Sequence, residues 1–290
     1  MGLFVGMQHV LPQHLFSRVV LAATRIRVPL VKDALIGAFL KGYSPDMGDA
    51  IEPDPHAYGS FNDFFTRALR DGARPIAAGT DVLASPVDGT VSQAGPIKGN
   101  QIFQAKGHEY SLEALLAGAA AEWAPAFRDG SFATIYLAPY NYHRIHMPLE
   151  GTLRETWFVP GRLFSVNAAT AAGVPGLFAR NERLVCLFDG PAGPYAVILV
   201  GALFVGSMGT VWHGDALPHR SGRPFKLPLN PTGAALTQPK GAELGRFNMG
   251  STVILLFGKD RAELLSRCVN GKTVRMGEAL GRMRTDPAAT

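Results

Sequence analysis

Two histidines three residues apart, His143 and His146, raise the first question of chemistry. They lie in YNYHRIHMP, residues 140–148, among aromatic residues and just before a proline. On a helix the pair would share a face; in an extended segment it would point to opposite faces. Imidazole titrates near neutral pH, so acid–base work is what such a pair offers. A metal site needs further ligands, and here no cysteine adjoins the pair and Glu150 lies beyond Pro148. The second place is Gly250-Ser251-Thr252, a polar tripeptide directly before the apolar run at 253–257. Taken alone it reads as a turn at the head of a buried strand. The third is Asp88 in ASPVDGTV, locally the carboxylate of an Asp-Gly turn. Lys106-Gly107-His108 reads as a site or a plain surface turn, with the turn favoured. No G-x-S-x-G elbow, P-loop or G-x-G-x-x-G motif following a strand occurs.

The elements that must position these groups fall into two textures. Leu15, Phe16, Val19, Val20, Ala23 and Ile26 recur at helical spacing. After Pro29 the pattern resumes with Leu30, Val31, Ala34, Leu35, Ala38 and Phe39. Such a pair of helices either packs on the protein's own core or lies in a membrane interface with its bases near headgroups. Arg18, Arg25, Arg27, Lys32 and Lys41 break every apolar stretch before the roughly 20 residues a span needs. The start of the chain lacks the basic region of a secretory signal, and Gly6 stands where a myristoylation motif has Ser or Thr. Ser60-Phe61-Asn62-Asp63 reads as a helix start, with Arg74-Pro75 ending that element. Beyond residue 82 short apolar runs alternate with Gly and Pro. The expected strands are 90–92, 132–137, 184–188, 196–205 and 253–257, with a short helix at 111–117. Residues 214–245, rich in Pro and Gly, read as a long loop or hairpin excursion.

Bulk composition agrees. With 290 residues, 47% hydrophobic and 18% charged, the chain can bury a sizeable core. Its 33 Gly and 21 Pro favour short elements joined by turns over a helical bundle. Two cysteines, Cys186 and Cys268, imply no disulfide framework and fit a reducing setting. The net charge of +5 suits an anionic surface. Without a long basic run or a nucleic-acid motif, lipid is favoured over nucleic acid. The expected class is α+β: a helical region at 1–75 and a β-rich, sandwich- or barrel-like domain at 76–290.

Six stretches in one order change the reading of the individual motifs. They are SFNDFFTRALRDGARPI at 60–76, SPVDGTVSQAG at 85–95, AKGHEYSLEALLAG at 105–118, YLAPYNYHRIHMPLEGTLRETWFVPGRLFSVN at 136–167, LFARNERLVCLFD at 177–189 and KGAELGRFNMGSTVILLF at 240–257. From about residue 10 to 280 the chain resembles the bacterial-type, pyruvoyl-dependent phosphatidylserine decarboxylases. Two positions depart from the usual pattern: Met249 stands where relatives usually have Leu, and Asn141 where they often have Asp.

The resemblance implies a proenzyme that cuts itself between Gly250 and Ser251, giving a large chain, 1–250, and a small one, 251–290. It implies that Asp88 orients His146 and that His146 takes the proton from Ser251, in the manner of an Asp-His-Ser triad. Ser251 becomes a covalent pyruvoyl group, the built-in cofactor, which forms a Schiff base with the amine of phosphatidylserine. Loss of CO2 then gives phosphatidylethanolamine, with His143 the candidate for returning the proton. No metal or diffusible cofactor is implied. The enzyme is expected peripherally on the cytoplasmic face of the membrane, its helical pair in the interface, and as a homodimer. Two other classes keep to the same residues: a serine hydrolase using Asp88, His146 and Ser251 uncut, and a non-enzymatic lipid binder.

Overall fold

The structure is a computed structural model, and the residues it describes are 3–203, 207–216, 222–229, 236–249, 251–266 and 268–284, with the backbone alone at 3 and 4. Three helices come first: α1 (Leu3–Val10), α2 (Gln13–Thr24) and α3 (Pro29–Gly42). Pro29 opens α3 at its first position, where the missing N–H costs no hydrogen bond. A fourth, α4 (Phe61–Phe65), starts where Ser60 Oγ accepts from the Asp63 amide, as the sequence expects, but ends at Thr66. α3 and α4 share a small core of Ile36, Phe61, Phe64 and Phe65, with Leu35, Phe39 and Met249 packed on it.

The large core belongs to an antiparallel sheet. Its strands run in the order Phe225–Lys226, Gly151–Val159, Arg183–Gly190, Gly193–Val200, Ser251–Phe257, Ser131–Leu137, Gly89–Pro96 and Thr273–Val274. Leu236–Gln238 also pairs with Gly151–Val159. The run at 253–257 therefore lies in the middle of this sheet. Every residue from Ser251 to Phe257 is buried, and both flanking strands pair with it. β-Branched and aliphatic side chains on both faces are what a strand covered on two sides requires. A second sheet, Gly214–Ala216, Met208–Thr210, Glu243–Phe247 and Arg144–His146, carries one of the two histidines. A third joins Val82–Ala84, Ala279–Met283 and Ala262–Leu264. An N-terminal helical region ahead of a β-rich body that carries a few short helices makes the fold α+β.

Several local readings change. Residues 214–245 contribute short strands to two sheets and are more than a loop. The strand expected at 196–205 starts at Gly193 and ends at Val200, and residues 204 and 205 lie outside the described residues. Gly151–Val159 is a long strand absent from the expectation, because Arg154 and Glu155 interrupt its apolar texture. Gly89 is not needed for a left-handed turn. A Cβ there would lie 2.5 Å from the Tyr136 carbonyl oxygen, so this glycine lets two strands approach.

α2 has its polarity reversed. Gln13, Ser17 and Thr24 are buried, whereas Leu15 (61% exposed), Phe16 (43%) and Val19 (59%) face outward. Gln13 is held inside by the Leu163 amide, which donates to its Oε1, and by Gln8, whose carbonyl accepts from its Nε2. Leu30 on α3 is 82% exposed, but Leu35 packs inward against the small core. The basic residues are less free than their sequence suggests. Arg25 pairs with Asp215, Arg27 with Asp63, and the buried Lys32 with Asp33.

Candidate active site

Ser251 is the first residue of the central strand, paired with Leu137. It is fully buried, and its Oγ has no hydrogen-bond partner among the described residues. Buried hydroxyls are normally satisfied, so an orphan here needs a reason. Gly250, the other half of the expected cleavage bond, lies outside the described residues.

The two histidines occupy different surroundings, as an extended Arg144–His146 segment requires. His143 is fully buried with its ring 4.0 Å from that of Phe65. Its Nδ1 is 2.8 Å from the Asn141 carbonyl oxygen. A carbonyl only accepts, so Nδ1 carries the proton and Nε2 keeps the lone pair. That Nε2 is buried with no partner among the described residues. Burial pushes the His143 pKa down to about 3, against a smaller upward pull from the Asn141 carbonyl.

His146 follows the same logic with a different ending. Its Nδ1 donates to the Gly241 carbonyl at 2.8 Å, and its Nε2 accepts from the Tyr142 hydroxyl at 2.9 Å. Gly241 sits at φ +83°, a left-handed position that suits glycine and turns this carbonyl towards the ring. Burial lowers the His146 pKa, and the Gly241 hydrogen bond and the charges of Glu243 and Asp88 act in the opposite direction.

Asp88 makes no hydrogen bond to His146 among the described residues. Arg74 clasps it instead: Nε donates to Oδ1 at 3.0 Å and Nη2 to Oδ2 at 2.7 Å. The Met276 amide adds a third donor at 2.8 Å. Asp88 in turn holds the Arg74 guanidinium firmly protonated. Of the expected triad, Asp88 and His146 are thus held by separate partners and Ser251 Oγ by none among the described residues, and the charge of Asp88 reaches His146 only as a small upward pull on its pKa. Arg74 served the sequence reading only as a helix terminator, and Tyr142 only as an aromatic neighbour. Side chains 14 residues apart leave no periodic signal of their pairing. Asn141 is also explained: its Oδ1 accepts from the Ala138 amide at 2.7 Å and closes the turn before His143.

A cavity of about 500 Å³ opens beside this turn. It is lined by Phe39 and Tyr43 of the α3 end, by Phe65 beneath His143, by Leu137 opposite Ser251, and by Met249. Its apolar walls suit a hydrophobic ligand. Lys106 and Gly107 both have positive φ and form the turn of the Gln101–Ala105/His108–Ser111 hairpin, as a surface turn should.

The comparisons with known proteins give the family. The model described as phosphatidylserine decarboxylase matches residues 61–282, and a second, described as PSD, matches residues 3–44. The chain belongs to the phosphatidylserine decarboxylase family. It is 51% identical over 281 residues to the phosphatidylserine decarboxylase proenzyme of Shewanella woodyi, covering 96% of this chain and 98% of the relative. The proenzymes of Methylococcus capsulatus (97% of each chain) and Bordetella avium (96% of this chain, 94% of the relative) are each 50% identical. A protein of this family is an enzyme, a decarboxylase made as a proenzyme. Both family models together span the helices and the β-rich body.

Proposed function

We propose that this chain is a precursor that cuts itself between Gly250 and Ser251 and then decarboxylates phosphatidylserine to phosphatidylethanolamine and CO2. One observation carries the proposal: the orphaned, fully buried Ser251 Oγ at the head of the central strand, in a family whose relatives are named proenzymes. A hydroxyl that completes no hydrogen bond is available as a nucleophile.

In processing, Ser251 Oγ attacks the Gly250 carbonyl carbon and its proton passes to His146. The peptide amide becomes an ester as the Ser251 nitrogen leaves and is protonated. Removal of the Ser251 Cα proton then expels the Gly250 carboxylate by β-elimination. The dehydroalanine left behind tautomerises, takes up water and loses ammonia, which gives the pyruvoyl group. Asp88, held by Arg74 and the Met276 amide, supplies the negative charge that favours a protonated His146. Tyr142 stands on the His146 Nε2 lone pair, so the proton arrives once Tyr142 turns aside or relays it.

The residues fit a pyruvoyl group, because Ser251, whose carbon skeleton it would keep, heads the central strand beside an apolar cavity, and the Oγ that would depart with Gly250 has no partner among the described residues. When formed, it supplies an electrophilic carbonyl and an electron sink for the substrate amine. The chain's own part is then positional. Phe39, Tyr43, Phe65 and Met249 receive the apolar substrate and exclude water. His143 is the candidate for returning the proton. To give a proton from Nε2 it must first receive one there, at the atom the fold leaves bare.

The membrane reading follows from α2. No described helix is long and apolar enough to cross a bilayer. An apolar face turned outward, next to a helix whose end lines the cavity, suits residence in the interface. Peripheral binding at the cytoplasmic face, the division into a helical region at 1–75 and a catalytic body at 76–290, and a homodimer complete the proposal.

Intact-mass measurement of purified protein tests it. Two pieces, 1–250 and 251–290, are expected, the smaller one blocked to Edman degradation by its keto terminus. Ser251→Ala should leave one uncut, inactive chain. A single full-length species in an active preparation overturns the reading, and labelling of that species by a fluorophosphonate would mark a serine hydrolase.

A further inference from the structure

Among the described residues, inward-facing arginines such as Arg183, Arg74 and Arg144 are well paired, and Arg67 differs from them. Arg183 donates to four backbone carbonyls, those of Leu115, Ala179, Asn181 and Ala114. Arg74 grips Asp88 and Asp49. Arg144 holds Glu243 and the Thr66 carbonyl. Arg67 is only 4% exposed, yet no carboxylate lies within ion-pair distance of it among the described residues. Its Nη2 reaches the Tyr140 carbonyl at a long 3.5 Å, and its guanidinium lies 5.9 Å from the centre of the Phe64 ring. Its Nε is buried with no partner among the described residues. An unpaired guanidinium out of water is costly unless something else supplies the charge.

Arg67 lines a cavity of about 210 Å³ together with Arg74, Arg275, Asp46 and Asp88. Three of these five charged groups are basic. Asp88 is already taken by Arg74 and the Met276 amide, and Asp46 Oδ1 accepts from the Gly48 amide. Tyr140 lines this cavity and the apolar one as well, so the two meet across the 138–142 turn. We propose that the Arg67 cavity is an anion subsite that holds the phosphodiester of the lipid substrate while its apolar part occupies the neighbouring cavity. The inference rests on the decarboxylase reading for the identity of the lipid.

Chemistry selects the phosphodiester over the other anion of the headgroup. The carboxylate leaves as CO2, and its negative charge moves away from it in the transition state. A guanidinium clamped on it would stabilise the ground state and slow the reaction. The phosphodiester keeps its charge throughout. A cation on it binds ground and transition states alike, so removing that cation should raise KM and spare kcat.

The test uses the whole protein as purified, both pieces together where it has been cut, with two independent readouts. Calorimetric titration with glycerophosphoethanolamine probes a phosphodiester that has neither carboxylate nor acyl chains. Binding is expected, with a loss of about ten-fold or more in Arg67→Met and a smaller loss in Arg67→Lys. Free serine should not compete. Turnover on phosphatidylserine mixed micelles should show KM raised by about ten-fold in Arg67→Met with kcat within about three-fold. Arg275→Gln, an exposed position on the same cavity, should weaken the titrated affinity by about three-fold and serves if Arg67→Met does not fold. Unchanged affinity and KM in folded Arg67→Met, or in Arg275→Gln where that variant must serve, overturn the subsite. Arg67-dependent binding of inorganic phosphate as tight as the diester overturns the lipid assignment in favour of a free-phosphate site. Arg67-dependent diester binding in a protein that never decarboxylates leaves the subsite standing and removes the decarboxylase reading alone.

Discussion

The central strand and α2 sort their residues by opposite rules. From Ser251 to Phe257 the strand buries everything, and five of its seven side chains are apolar. Only the hydroxyls of Ser251 and Thr252 are out of place there, both without partners among the described residues. α2 buries Gln13, Ser17 and Thr24 and shows Leu15, Phe16 and Val19 to the outside. The strand departs from ordinary burial by single atoms, and such a departure marks a place for chemistry. The helix departs by a whole face, which no single reaction needs. A face of that kind fits an apolar surrounding, and in water each exposed side chain forgoes about 1.5 kcal/mol of burial.

The largest effect expected concerns the strand and its histidines. His146→Ala should remain uncut, processing at least 10²-fold slower on the scale typical of a lost general base, roughly 10² to 10⁴. His143→Ala should still be cut, yet lose a similar factor in phosphatidylethanolamine formation. Gels read the cut, and assays on phosphatidylserine micelles read the turnover. An uncut His143→Ala beside a normally cut His146→Ala would reverse the two roles.

Next in size is the face of α2. Leu15, Phe16, Val19 and Leu30 changed together to Ser should release the protein from anionic vesicles while its melting temperature holds. The four side chains represent up to about 6 kcal/mol of membrane burial. Leu35 does not belong in this set, because it packs against Ile36 and the α4 phenylalanines. A folded quadruple variant that still co-sediments fully would return the helix to the ordinary rule.

A smaller effect tests whether a polar departure inside the body carries a cost. Glu182 is 5% exposed, and burial pushes its pKa up to about 7 from the ordinary 4.5. The folded chain therefore holds a proton there that the unfolded chain releases. Stability from this group is complete below pH 4.5 and declines until the pH passes 7. Glu182→Gln should raise the melting temperature at pH 8 and leave it nearly unchanged at pH 4.5, a difference on the order of 3 kcal/mol at most. Equal shifts at both values would show that Glu182 is not buried as an acid.

Much of this was legible from residue order. The run at 253–257 announced a buried strand, and Ser60 announced its helix start and accepts the expected amide. The site residues came from the family pattern, since Asp-Gly, Gly-Ser and paired histidines are individually ordinary. Other features had no local signal. Periodicity shows that α2 is amphipathic, but which face is covered depends on Leu163 and Ser165, some 150 residues away. Arg74 on Asp88 and Tyr142 on His146 are encounters fixed by the sheets. The strand at Gly151–Val159 was hidden because Arg154 pairs with Asp189 and Glu155 with Lys226 across its neighbours, contacts that let charged residues sit in a strand.

The position of Ser251 separates connectivity from cohesion. The residues from Ser251 onward place one strand in the middle of the large sheet, another at its edge through Thr273–Val274, and two in the three-stranded sheet. A cut ahead of Ser251 removes one covalent link and none of those backbone ladders. The short piece is woven into two sheets and cannot leave without dismantling the core. The two fragments would travel through a sizing column as one particle and part only in denaturant. A chain arranged in this way can be broken at its reactive point and still hold that point in register.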